Sequence, residues 1–133
     1  MPLPDDPRIA GDRILFRRIP PNGGRTLWSP DGAADFSSQN FSDKLDELSL
    51  YLADEATCDQ VLAGHEGFGL VQITAGKMRE ILGSDVVFNR DCSDPIPGHV
   101  LVCGNIKTSK RGKLKKAATW VPGKLPDPSK VDS

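Results

Sequence analysis

Apolar residues occur in short runs separated by proline, glycine and small polar residues, and most runs match the period of a strand or of a helix. The first run, residues 13–19, Arg-Ile-Leu-Phe-Arg-Arg-Ile, has high strand propensity and ends at Pro20-Pro21-Asn22-Gly23-Gly24, where proline removes a donor and glycine permits the turn. A second short strand is expected at Thr26–Trp28. Residues 29–46 are rich in Ser, Asp, Gly and Asn and read as a long ordered loop pinned by Phe36 and Phe41. Residues 48–53 form the next strand. Asp54 is the expected cap of a helix bearing Cys58, Val61 and Leu62, and Gly64 its stop.

Residues 68–74 read as a buried strand. Thr74 is placed to cap a short helix over 75–82, whose Met78, Ile81 and Leu82 share a face, with Gly83 ending it. Another strand covers 85–89, a proline-rich turn 94–98, and the most regular strand 99–104. Ser109 then caps a last helix in which Leu114, Ala117, Ala118 and Val121 form an apolar stripe, with Trp120 in the core at its end. Residues 1–12 and 122–133 carry three prolines each and little apolar content, and are expected to be a flexible lead-in and a frayed tail. Strands and helices interleave only after the first third of the chain. The pattern therefore predicts an α+β class: a single domain over 13–121, a mixed β-sheet packed with about three short helices.

A length of 133 residues, with 38% hydrophobic and 26% charged residues, fits one globular core and excludes disordered, collagen-like and coiled-coil classes. No apolar run is long enough to cross a bilayer and the N-terminus has no signal-peptide pattern, so a cytoplasmic protein without membrane contact is expected. The net charge of −1 is unevenly spread. Residues 1–105 hold nine Lys/Arg against sixteen Asp/Glu, whereas residues 106–133 hold eight against two. Cys58, Cys92 and Cys103 form no C-x-x-C pair, and an odd count argues for reduced thiols; Cys92, in a polar stretch, is the one placed for reactivity.

The standard catalytic signatures are incomplete. His65-Glu66 would begin the zinc-protease motif H-E-x-x-H, but Gly69 stands where its second histidine belongs. With His99 as the other histidine and no paired cysteines, no metal site is expected. Gly64, Gly67 and Gly69 precede a strand instead of joining one to a helix, so they do not form a dinucleotide-binding turn, and the 104–113 segment lacks the phosphate-loop spacing.

The basic run over 107–116 is the strongest charge feature. Lys110, Arg111, Lys113, Lys115 and Lys116 would lie on one helix and present cations to an acidic protein partner, or to the phosphates of nucleic acid. A strand bearing Arg17, followed by Ser37-Ser38, Phe41 and a strand with Tyr51, resembles the opening of small bacterial ADP-ribosyltransferase-like domains of the RES type. That resemblance covers the first third to half of the chain. It implies NAD as cofactor, Arg17 as anion contact and Ser37 or Ser38 as ribose or phosphate contact; it assigns no catalytic glutamate. The combination Phe-Ser-Ser-x-x-Phe, Leu-Ser-Leu-Tyr-Leu, Gly-Phe-Gly-Leu-Val and Pro-Gly-His-Val-Leu-Val-Cys-Gly, ending in a basic helix and Trp120-Val121, is also similar to small bacterial proteins, a likeness that implies no activity. The leading expectation is accordingly a binding or accessory domain without a cofactor, acting through its basic C-terminal helix, with a protein partner before nucleic acid. The alternative is an NAD-dependent enzyme of the Arg17, Ser37, Ser38 and His99 region.

Overall fold

Leucine, isoleucine and phenylalanine alternate in the first strand so that Leu15 and Ile19 face one way and Phe16 the other, and each direction finds its own apolar layer. The computed structural model describes residues 4–31, 33–42 and 46–130. In chain order the elements are β1 (Ile14–Ile19), β2 (Thr26–Trp28), β3 (Ala34–Phe36), a 3₁₀ turn (Ser38–Phe41), β4 (Glu47–Leu52), α1 (Cys58–Leu62), β5 (Gly69–Thr74), α2 (Ala75–Leu82), β6 (Val87–Arg90), β7 (His99–Cys103), α3 (Thr108–Ala117) and β8 (Thr119–Trp120). Six strands join in the order β6-β7-β4-β1-β5-β8, with antiparallel ladders throughout, while β2 and β3 form a separate hairpin. The result is an α+β domain with three short helices, as the interleaved pattern predicts.

One face of the sheet is an apolar layer. Leu15, Leu50, Val71, Phe88 and Val100 are buried there beneath Met78 and Leu82 of α2 and Leu114 of α3. Each fully buried side chain of this size contributes about 1.5–3 kcal/mol by leaving water. The opposite face carries a smaller cluster, in which Phe16, Tyr51 and Leu70 meet Val61 of α1, Ala56 and Val121.

Local capping follows the sequence in part. Thr74 accepts the Lys77 amide and Gly83 closes α2 with φ of 62°. Thr57, not Asp54, starts α1, because Thr57 and Gln60 satisfy each other's backbone amides in a capping box. Ser109 caps nothing: the cap position is Lys107, two residues earlier, and α3 starts at Thr108 without a side-chain cap. Nor does α3 reach Trp120. The chain turns extended after Ala117, and β8 pairs with Val71 and Gln72 of β5, because that edge of the sheet offers unpaired backbone groups. Trp120 is half-buried and packs edge-on against Phe36 with ring centroids 5.1 Å apart.

Both terminal segments are docked over their described parts, which differs from a flexible lead-in and a frayed tail. Ile9 is wholly buried, the Asp6 amide donates to the Phe88 carbonyl at 2.8 Å, and Arg79 donates to the carbonyls of Asp6 and Ile9. The lead-in thereby covers the β6 edge. At the other end the Leu70 amide donates to the Lys124 carbonyl and the Asp127 amide to that of Gly67, both at 2.9 Å. Glycine is required at position 69, since a Cβ there would stand 2.7 Å from the Pro126 ring. The Phe88 carbonyl and the Arg79 side chain hold the lead-in, and the Leu70 amide and Gly67 carbonyl hold the tail, partners invisible in a hydropathy pattern. Residues 1–3, 32, 43–45 and 131–133, which belong to the expected lead-in, loop and tail, lie outside the described residues. Within the 29–46 loop, β3 and the 3₁₀ turn form around Phe36 and Phe41, whose side chains are buried in the larger core.

Candidate functional site

A buried polar cluster interrupts the smaller apolar face. His99 opens β7 opposite Tyr51 of β4, and their rings lie 4.9 Å apart. Only 7% of His99 is exposed. Its Nδ1 lies 3.0 Å from Asp91 Oδ2 and its Nε2 lies 2.5 Å from Ser49 Oγ. A carboxylate can only accept, so Nδ1 carries the hydrogen toward Asp91, and in the neutral ring Nε2 is then left to accept the Ser49 hydroxyl proton. Ser49, His99 and Asp91 thus stand in the hydrogen-bond sequence of nucleophile, base and orienting acid.

The loop between β6 and β7 places the acids. The amide and hydroxyl of Ser93 donate to Asp91 Oδ1 at 3.1 and 2.5 Å, and the Ile96 amide donates to Asp94 Oδ1 at 2.8 Å, the short Asx turns that the sequence Asp-Cys-Ser-Asp-Pro-Ile favours. The bonds from Ser93, then that from His99, hold the Asp91 carboxyl below its ordinary value. Asp94 Oδ2 lies 3.6 Å from His99 Nδ1 and accepts the Tyr51 hydroxyl at 3.2 Å. Gly98 turns the chain into β7 with φ of 77°, where a Cβ would stand 2.9 Å from Glu55 Cβ; no larger residue brings His99 so close to β4.

Arg18 closes the cluster from β1. Its Nη2 donates to the Tyr51 hydroxyl at 3.3 Å and its Nη1 to the Val61 carbonyl at 3.0 Å, with His65 Nδ1 3.1 Å away. Burial pushes the Tyr51 phenol up from its ordinary value; Arg18 opposes that rise, while Asp94 adds to it. Ser49 itself is half-buried, at the border between the covered part of this face and its open end.

Arg17 works from the opposite side of the same strand. The β1–β4 ladder comprises Leu15–Leu52 and Phe16–Tyr51, and beyond it Arg17 Nη1 donates to the Ser49 carbonyl and Nε to the Asn40 carbonyl, each at 2.9 Å. The guanidinium therefore holds the backbone of Ser49 and pins the 3₁₀ turn to β1. Ser37 is buried and Ser38 half-buried beside that turn, on the side of the larger core. The structure brings Arg17 near the Ser37–Ser38 loop and Tyr51 to His99, but the sheet separates the two pairs. Arg17, Ser37, Ser38 and His99 do not converge on one pocket.

The five expected partner contacts on α3 also divide. Lys110 Nζ donates to the Ile81 carbonyl at 2.8 Å, Arg111 Nε to the Ile106 carbonyl at 3.0 Å, and Lys115 Nζ lies 3.1 Å from Asp35. Lys113 and Lys116 are exposed, as is Lys107 just before the helix. Cys92 is exposed, while Cys58 and Cys103 are half-buried and all three thiols are free. Among the described residues, no group of three or more His, Cys, Asp or Glu side chains is placed to hold a metal ion. No helix among them is long and apolar enough to cross a membrane.

Sequence reasoning selected His99 and Tyr51 but missed Ser49, Asp91, Asp94 and Arg18. A signal existed for one of them. Ser49 and Tyr51 are the two polar positions in Leu-Ser-Leu-Tyr-Leu, which places both on one face of β4. Asp91 and Asp94 come to His99 only through a hairpin loop whose path the sequence does not specify. Comparison with protein-family models, curated proteins and solved structures finds no match, so the chemistry is read from the residues themselves.

Proposed function

We propose that this chain is a small acyl-transfer enzyme or esterase that uses Ser49 as nucleophile. The observation that carries the reading is the pair of hydrogen bonds from His99, 2.5 Å to Ser49 Oγ and 3.0 Å to Asp91 Oδ2. As Ser49 Oγ attacks a carbonyl carbon, its proton passes to His99 Nε2, and Asp91 stabilises the imidazolium that forms. When the tetrahedral intermediate collapses, His99 returns that proton to the leaving oxygen; water then repeats the cycle and releases the acid. Arg18, on the same face, supplies positive charge toward the developing oxyanion, with the Tyr51 hydroxyl beside it. No resident cofactor is required for this chemistry. The free thiols suit the reducing cytoplasm.

Hydrolysis of p-nitrophenyl acetate tests this reading. Ser49→Ala and His99→Gln should each lower kcat/KM by roughly 10²- to 10⁴-fold, and Asp91→Asn should fall in the same range. Undiminished turnover in Ser49→Ala would overturn it.

A second reading is contact with an acidic protein partner, or secondarily with nucleic acid, through α3. Exposure of Lys107, Lys113 and Lys116 favours it. Because Lys110, Arg111 and Lys115 already bind within the domain, the contact would rest on those exposed lysines. Replacing Lys113 and Lys116 by glutamate should abolish salt-sensitive capture of the partner without lowering the melting temperature. Unchanged capture would remove α3 from the interface.

A further inference from the structure

We infer that the strip of sheet around Ile14 is the contact surface of a weak two-fold dimer, with a second copy of this chain as its occupant. The inference is independent of Ser49. Ile14 is 41% exposed and is the one exposed position of β1. By alternation it lies on the Phe16 side of the sheet, but α1 packs on Phe16, Tyr51 and Leu70, and Ile14 stands outside that cluster. Two open clefts meet at it. One is lined by Ala53 and Asp54, just beyond β4, and by Asp12; the other runs past Thr74 to Lys77 and Ala117. Strand order explains the layout. The Ala53 amide donates to the Ile14 carbonyl at 2.9 Å on one side and Ile14 pairs with Thr74 on the other, so Ile14 is one strand spacing, about 4.8 Å, from each neighbour.

Charge divides across that centre. On the β4 side Asp12 and Asp54 are exposed; Asp54 pairs with Arg13, but the arginine side chain is 18% exposed against 60% for the aspartate, so carboxylate faces outward. On the β5 side Lys77 is exposed, as is Lys116 just before Ala117. The contact of Lys77 with Glu80, 3.6 Å away, is an exposed i,i+3 pair of the kind that contributes little. A strip with an apolar centre, acids at one end and cations at the other is complementary to itself. Rotation by 180° about an axis beside Ile14 lays Ile14 against Ile14 and sets the acids of each copy against the cations of the other, twice. The strip is narrow beside the roughly 800 Å² per partner of a stable complex, so the association is weak and salt-sensitive.

Sedimentation equilibrium of the full chain, from about 10 µM to about 1 mM, tests the assignment. At low salt the mass should rise from that of the monomer toward twice that value, and it should fall back at about 0.5 M salt. Asp12→Lys and Lys77→Glu should each raise Kd at least about tenfold, whereas an equimolar mixture of the two variants should associate again, because every acid then meets a cation. Ile14→Asp should abolish association while the melting temperature stays within the range of a surface substitution. A chain that remains monomeric throughout would overturn the dimer and leave the strip to a foreign protein. A dimer that survives in Ile14→Asp, or charge variants that do not recover on mixing, would overturn the assignment of this surface.

Discussion

The two faces of the central sheet are built from the same strands and differ in chemistry. On one, the Leu15, Leu50, Val71, Phe88 and Val100 layer is closed by α2 and α3 and depends on dispersion and exclusion of water. On the other, a smaller apolar cluster shares its area with Ser49, Tyr51, His99, Arg18 and two aspartates, each engaged in hydrogen bonds. A polar network buried this far adds little net stability over an apolar packing of the same shape, because desolvation offsets most of what its bonds return. The contrast separates an apolar face closed by helices from a face that carries the hydrogen-bonded Ser49–His99–Asp91 group on which the proposed function rests.

The largest expected effect on that division comes from the apolar side. Phe88 is wholly buried, and Phe88→Ala should lower the unfolding free energy by about 3–5 kcal/mol in urea titration. A loss comparable to that of a surface substitution would mean that the two faces are not energetically distinct. Tyr51→Phe, on the polar side, keeps the ring and removes the hydroxyl shared by Arg18 and Asp94; it should cost only about 0.5–1.5 kcal/mol. Its effect on ester hydrolysis should exceed its effect on stability, the reverse of Phe88→Ala.

A smaller effect is expected where the turn between β4 and α1 meets the end of β6 and the start of β1. Glu55 forms ion pairs with Arg90 and Arg13, and the Arg90 guanidinium above all draws its carboxyl down to about 2 from an ordinary value of 4.5. A folded-state value below the unfolded one gives stability that is full above pH 4.5 and is lost as the pH falls toward 2. Glu55→Gln should therefore flatten the acid limb of the stability curve between those values, measured by thermal melts at stepped pH, and an unchanged limb would show that the pair is solvent-screened. Smallest of all, Lys113→Glu and Lys116→Glu should each change stability by less than about 0.5 kcal/mol, since both side chains are exposed.

The apolar face was largely legible in the sequence, and the polar one only in fragments. The strands over 13–19, 48–53, 68–74 and 99–104 and the α2 helix follow from periodicity because burial of alternate or helically spaced side chains decides their pairing. The end of α3 was not legible: Ala118 and Val121 continue the helical stripe, yet the unpaired β5 edge captures Thr119 and Trp120 as a strand. The same long-range pairing hides the site. His99 and Tyr51 stand out as polar residues in apolar runs, but Asp91 meets His99 only through the hairpin fold of residues 91–98, and no local pattern shows that the Arg17 guanidinium donates to the Ser49 carbonyl.

If Ser49 is the activated hydroxyl of the molecule, it should react selectively with an electrophile aimed at serine nucleophiles. Reaction with a fluorophosphonate probe, followed by peptide mapping, tests this most directly. A phosphonyl adduct on Ser49 is expected in the wild-type protein, and its loss in His99→Gln. An unlabelled protein, or an adduct on another serine with Ser49 unmodified, would contradict it.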